Sequence, residues 1–253
     1  MLGTGNYSSV KAMGLTLHKI TMRELVQACV SKKRLGMVVT PNAHFFVRAE
    51  KDPKTKQLYN SADLSVCDSR VIKRLLFLAN VHVPLVAGSD LTAQILTNPA
   101  AQDLRICLIG GHASYQEKLM RQFSLRHIRQ FEFPWKKSFS DEDIERACSA
   151  IAGDYHLTLV CLGAPLQERV AALLRRSYGA RFPTILCVGA SVDFLVGAQK
   201  RSPAFLRVLG FEWAYRFSTS PGRFFKRYVL ECPAIFVIYT RWLLVERFRM
   251  ALQ

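Results

Sequence analysis

Five short runs of small and polar residues have the composition of a ligand-binding edge. They are Thr40-Pro41-Asn42, Asp68-Ser69-Arg70, Gly110-Gly111, Gly163-Ala164-Pro165 and Gly189-Ala190-Ser191. Small residues let backbone approach a bound molecule closely, and a helix N-terminus just beyond such a run attracts anions through its free N–H groups. Any one of these runs could serve as a tight turn; five of them point to a ligand. Other chemistry is sparse. The sequence holds no G-x-G-x-x-G, no G-x-x-x-x-G-K-[ST] and no G-x-S-x-G, so the standard dinucleotide, nucleoside-triphosphate and hydrolase fingerprints are missing. The six histidines show no H-x-H or H-x-x-x-H spacing, and His44, His112 and His156 read as structural. No metal and no cofactor is expected.

These runs act together only if the elements deliver them to one edge. Short apolar stretches recur at Met13–Leu17, Met37–Thr40, Leu64–Cys67, Arg105–Ile109, Arg129–Phe133, Thr158–Leu162 and Thr184–Val188, with helix-like segments between them. Thr21-Met22-Arg23-Glu24 has capping-box spacing ahead of a helix to about Lys33. Asp141-Glu142-Asp143 spells a D-x-D metal pattern. It follows Ser140, however, where a helix's first turn favours acid, so it reads as a cap. Continuous apolar strands separated by helices predict an α/β fold, a mostly parallel sheet sandwiched between helices in the Rossmann-like manner. Ligands of such sheets sit beyond the carboxyl ends of the strands, which is where the five runs fall.

The 253 residues include 35 Lys+Arg against 19 Asp+Glu, a formal charge of +16, and half are hydrophobic. That apolar share excludes a disordered chain. Seven cysteines without a C-x-x-C pair exclude a disulfide scaffold and a zinc ribbon. The N-terminus lacks an apolar h-region and no uninterrupted run of about 18 apolar residues occurs, so the expected location is the cytoplasm. The charge leaves nucleic acid, an anionic membrane surface or a phosphate-rich substrate as partner. The character changes after Gly197, which divides the chain into a core, 1–197, and an appendage, 198–253, with ten Lys/Arg against three Glu. On a helical wheel Arg223, Arg227 and Arg241 fall on one side, opposite Phe224, Phe225, Ile235, Phe236, Tyr239, Trp242 and Leu243, provided the register survives Pro233. A basic amphipathic helical appendage fits peripheral contact with a membrane; packing on the core is the plainer alternative. Basic residues paired with apolar clusters, rather than repeating along a groove, argue against nucleic acid.

Several motifs, taken in order, carry a resemblance. Thr40-Pro41-Asn42 resembles a T-P-N motif, and Ala62-Asp63-Leu64 through Asp68 an "AD…PDG" strand end. Val86-Ala87-Gly88-Ser89-Asp90-Leu91 resembles V-A-G-x-D-L, Gly163-Ala164-Pro165-Leu166-Gln167-Glu168 resembles G-x-P-x-Q-E, and Gly189 through Asp193 resembles V-G-x-x-x-D. Arg201-Ser202-Pro203, Glu212-Trp213-Ala214-Tyr215-Arg216 and Pro221-Gly222-Arg223 resemble R-A-P, L-E-W-x-Y-R and P-x-R. Across about residues 13–230 the chain resembles the WecG/TagA/CpsF glycosyltransferases. Two departures stand out: Cys67-Asp68-Ser69-Arg70-Val71 lacks both glycines of P-D-G-x-G, and Leu85 stands at an often basic position, for which Arg70 is a candidate substitute.

The resemblance implies an inverting, metal-independent, membrane-associated enzyme of bacterial surface polysaccharide assembly. It would move a hexose (N-acetylmannosamine, its uronic acid, or glucose type) from a UDP-sugar to a polyprenyl-diphosphate-linked saccharide. Asp68 is then the expected base, with Thr40 and Asn42 holding sugar or acceptor hydroxyls. Gly88, Asp90, Gly110, Gly163, Pro165, Gln167, Glu168, Gly189 and Asp193 are expected at the substrate. Arg201, Arg216, Arg223 and Arg227 would hold the diphosphate, because guanidinium is always charged and binds oxygens in pairs. Trp213 and Tyr215 read as packing residues. Two alternatives stay open, a basic nucleic-acid-binding protein and an inactive family member serving as a membrane scaffold, and so does self-association.

Overall fold

The computed structural model of the protein describes residues 7–179 and 183–251, the side chains of 204, 208, 223, 224 and 247–251 excepted. A hairpin of β1 (Ser9–Ala12) and β2 (Leu15–His18) leads into α1 (Met22–Val30), β3 (Met37–Val39), α2 (Ala43–Lys51) and α3 (Pro53–Asn60). Next come β4 (Leu64–Ser65), α4 (Arg70–Leu78), α5 (Gly88–Thr97), β5 (Arg105–Gly110), α6 (Tyr115–Phe123) and β6 (His127–Phe131). The core closes with α7 (Asp141–Cys148), β7 (Leu157–Cys161), α8 (Leu166–Tyr178), β8 (Thr184–Cys187) and α9 (Ser191–Leu195).

Six strands form one parallel sheet in the order β4-β3-β8-β7-β5-β6. Successive side chains on a strand point to opposite faces, which explains why these strands read as unbroken apolar runs. Val38, Ile106, Leu108, Leu157, Leu159 and Leu186 pack on one side, with α1, α5 and α6. Met37, Val39, Cys107, Ile109, Val160, Ile185 and Cys187 pack on the other, with α7 and α8. The α/β sandwich anticipated from the pattern is the observed architecture. Both expected helix caps form as capping boxes, Thr21 with Glu24 and Ser140 with Asp143, each worth roughly 1 kcal/mol. The carboxylates of the D-x-D run are occupied locally: Asp141 pairs with Arg169 at 2.6 Å and Asp143 with Lys136 at 2.5 Å.

Two strand expectations need correction. Met13–Leu17 is not a strand of the sheet. Met13 and Gly14, at φ 48° and 81°, form the turn of the separate antiparallel hairpin. The stretch expected at Arg129–Phe133 begins two residues earlier, at His127, because register with Arg105 on β5 decides its start.

After Gly197 the chain is helical: α10 (Ala204–Leu209), α11 (Glu212–Thr219), α12 (Pro221–Phe225), a π-helical turn (Lys226–Glu231) and α13 (Ala234–Ala251). Gly210, at φ 87°, ends α10 in a Schellman arrangement: its N–H reaches Arg207 O and the Phe211 N–H reaches Leu206 O. That turn aims α11 back over the sheet edge. The expected wheel does not survive. The π turn, closed by Cys232 N–H on Arg227 O, resets the register ahead of Pro233. Arg241 reaches Glu50 on α2, at 3.3 Å, and Arg227 reaches Asn42 at the start of α2, the helix against which Ile235, Ile238 and Tyr239 also pack. Apolar residues cover more than one side of α13. Ile235, Ile238 and Tyr239 are buried in the cluster that holds α2, whereas Phe236, Val237, Leu244 and Val245 are at least half exposed.

The helical stretch Lys226–Glu246, 21 residues at mean hydropathy 1.5, is long and apolar enough to cross a membrane by those two measures.

Candidate active site

Asp68 is fixed by backbone before its side chain does anything. Its N–H donates to Pro41 O at 2.9 Å, beyond the end of β3, and the preceding Cys67 pairs with Leu85 across an isolated bridge. Ser69 then caps α4 by accepting the Ile72 N–H at 3.3 Å, a task glycine could not perform. The carboxylate turns toward α5, whose own N-cap, Ala87, has no side-chain acceptor, and takes the Gly88 N–H instead. Space at 88 is tight: a Cβ there would sit 3.2 Å from Thr40 Oγ1 and in ordinary contact, 3.6 Å, with Asp68 Oδ2. Thr40 is itself buried and anchored, donating to Cys187 O at 3.3 Å.

A cleft of about 380 Å³ opens between this edge and the C-terminal helices. Asn42, Asp68 and Asp90 line it from the sheet side, and Arg207, Glu212, Arg216 and Arg227 from the helical side. Arg216 pairs with Glu212 at 2.6 Å and stacks over the Phe194 ring, 4.9 Å from its centre. Arg227 Nη2 donates to Asn42 Oδ1 across a long 3.4 Å, while Asn42 also caps α2 by accepting the His44 N–H at 3.1 Å. Burial pushes the Asp68 carboxyl up to about 8, and the charge of Glu212 adds to that; the Gly88 N–H and Arg216 pull the other way. His44, pushed down to about 4 by burial and then by Arg227 and Arg48, is a neutral ring at pH 7. It donates from Nε2 to Glu231 at 2.6 Å, fastening the π turn to α2.

Other anticipated residues stand apart from this cleft. Gln167 and Glu168 are buried, at 4% and 0% exposure. Gln167 Oε1 accepts the Gly189 N–H at 2.9 Å and its amide donates to Glu168 at 2.6 Å, so the pair ties the loop after β8 to α8. Asp193 accepts from Tyr115 OH at 2.8 Å and from Gln199 at 3.0 Å. Arg201 is a strut to the core, bonded to Asp90 at 2.6 Å and Ser89 at 2.8 Å. Gly163, Pro165 and Gly189 belong to the loops after β7 and β8, where Arg48 holds Ala164 O. Gly110 ends β5, four strands from β4, or roughly 19 Å at normal strand spacing. The Arg223 side chain lies outside the described residues.

Several cleft residues went unread as site residues in the sequence, among them Arg207 and Tyr228. His44 stands two places after Asn42; Glu212 and Trp213 lie within the Glu212–Arg216 motif itself. Trp213 is 43% exposed and faces Tyr228 at 6.2 Å, so it walls the cleft instead of packing the core. Arg70 does line the cleft, near the bridge made by Leu85. A larger recess, about 920 Å³ between α7 and α8, opens at the amino ends of the strands, the opposite edge from this cluster. Among the described residues no group of three His, Cys, Asp or Glu side chains could hold a metal ion. Comparison with known families gives one match: the family model described as "Glycosyl transferase WecG/TagA/CpsF family" aligns with residues 10–249.

Proposed function

Because the chain belongs to the WecG/TagA/CpsF glycosyltransferase family, a family of cell-surface glycan synthesis, we propose that it moves a hexose from a UDP-sugar to a polyprenyl-diphosphate-linked saccharide, with inversion and without a metal. One observation carries this reading: the Asp68 carboxyl, which burial pushes up to about 8, shares a cleft with Arg216 and Arg227 on the facing helical wall. A base of that affinity takes a hydroxyl proton well yet remains partly ionised near neutrality. Asp68 removes the acceptor proton as the acceptor oxygen bonds to the anomeric carbon, on the face opposite UDP. The bond to UDP breaks, UDP leaves with the electron pair, and Arg216 and Arg227 meet its charge. Asn42, within reach of both Arg227 and the helix start, orients a sugar or acceptor hydroxyl.

The acceptor's lipid places the reaction at a bilayer. Phe236 lines the cleft and is exposed, as are Leu230 and Val237 nearby in the chain, on a protein of net charge +16 suited to anionic lipid. Packing of Ile235, Ile238 and Tyr239 against the core favours α13 lying on a membrane over crossing it, since that side is already covered. Charge alone supports the nucleic-acid alternative, and the pairing of the basic side chains with cleft carboxylates weighs against it.

The test is a panel of UDP-hexoses with a short-chain prenyl-diphosphate acceptor, read as UDP release. One donor should turn over, and Asp68→Asn should stop it while UDP still binds. Release from no donor, or full turnover in the variant, overturns the reading.

A further inference from the structure

Two carboxylates besides Asp68 line the cleft, Asp90 and Glu212, and each holds a guanidinium at 2.6 Å. The pairs differ in where the cation goes. Arg201, on Asp90, also bonds Ser89 and braces the wall from behind. Arg216, on Glu212, lines the cleft itself, one turn further along α11. The pair is only partly exposed, and an ion pair at this i,i+4 spacing adds modestly to helix stability. Stability alone is therefore a weak reason to place an acid where it faces another acid.

We propose that Glu212 is a positioning residue of the transfer reaction: it holds Arg216 beside Asp68 before the donor arrives and presents a second negative charge to that carboxyl until a diphosphate takes the guanidinium. This rests on reading Asp68 as the base. Charged and titratable groups reach Asp68 from every side. Cys67 and Arg70 approach along its own strand end and α4, and Asp90 with the Gly88 N–H from α5. His44, Arg207 and Arg227 complete the ring with the pair on α11. Of the charged side chains among these, Glu212 acts most strongly on Asp68, with Arg216 opposing it. Removing the Glu212 charge takes away a like charge and frees Arg216 to act on Asp68. Both changes favour the ionised carboxyl, so they shift its titration in one direction, downward.

The experiment is a titration of the full chain labelled with carbon-13 at the aspartate carboxyls, Asp68 being assigned by the signal missing from Asp68→Asn. In Glu212→Gln the Asp68 midpoint should fall by about one unit or more, and UDP should bind severalfold more tightly because it no longer displaces a carboxylate. Glu212→Asp should restore both toward the parent. An ion pair serving only as a brace would leave the midpoint in place and weaken UDP. Either result in a variant that melts like the parent overturns the proposal. If Glu212→Gln does not fold, Arg216→Gln supplies the decision: the midpoint must rise, and an unmoved one overturns the proposal. The titration needs no turnover, so activity surviving in Asp68→Asn would overturn the base assignment separately from the Glu212 result.

Discussion

Two acids stand at the carboxyl edge of the same sheet, Asp68 after β4 and Glu168 at the start of α8 after β7, with β3 and β8 between them. Their local chemistry is alike. Each lies at a helix N-terminus, and burial pushes each upward, to about 8 for Asp68 and about 7 for Glu168. Their surroundings differ. Glu168 is sealed, with Gln167 on one oxygen, its other oxygen without a partner among the described residues, and Arg48 near by but committed to Ala164 O. Asp68 opens on a cleft whose far wall carries Arg216 and Arg227. A perturbed carboxyl therefore does not by itself mark a site; the proposal for Asp68 rests on access and neighbouring cations.

The largest expected contrast is in turnover. Asp68→Asn should cost roughly 10²–10⁴-fold, the usual share of a general base, while Glu168→Gln keeps the bond to Gln167 and turns over near the parent rate. A folded Glu168→Gln enzyme without activity would break the comparison. Stability should separate the two rims next. Because Glu168 is raised from 4.5 to about 7, the folded state holds its proton more tightly than the unfolded chain does. Its contribution is complete below about 4.5 and is lost as pH rises toward 7. Thermal melts of Glu168→Gln should accordingly show a flatter decline across that window than the parent, and an identical slope would return Glu168 to an ordinary exposed acid. The smallest effect concerns what flanks the open rim. Phe236→Ser should lower sedimentation with anionic vesicles a few-fold, in line with the transfer energy of one partly exposed ring. Unchanged binding would move the lipid contact away from the cleft mouth.

Much of the open rim was legible in the chain. Thr40, Asn42, Gly88 and Asp68 belong to local runs of recognisable type, a strand end, a cap and a helix start, although their anchors, such as Cys187 O for Thr40, come from elsewhere in the chain. The sealed rim was legible in residue type alone. Gln167 and Glu168 carry the residue types of a binding pair, and only the packing of Arg48 and the loop at Gly189 closes them off. The C-terminal wheel failed because one π turn, decided by where Arg227 and Glu231 find partners on α2, moves every later side chain. Glu212 sat within a quoted motif without a role, since its meaning lies in facing Asp68 from 144 positions away in the chain.

Periodicity, caps and motif order, all properties of neighbouring residues, determined the α/β sandwich and pointed to the edge at which the cleft opens. Which acid opens to solvent, which arginines face it and which merely brace the wall depend on contacts between segments more than a hundred residues apart. Those contacts form only when the helices after Gly197 fold over the sheet, and no local preference encodes their distances.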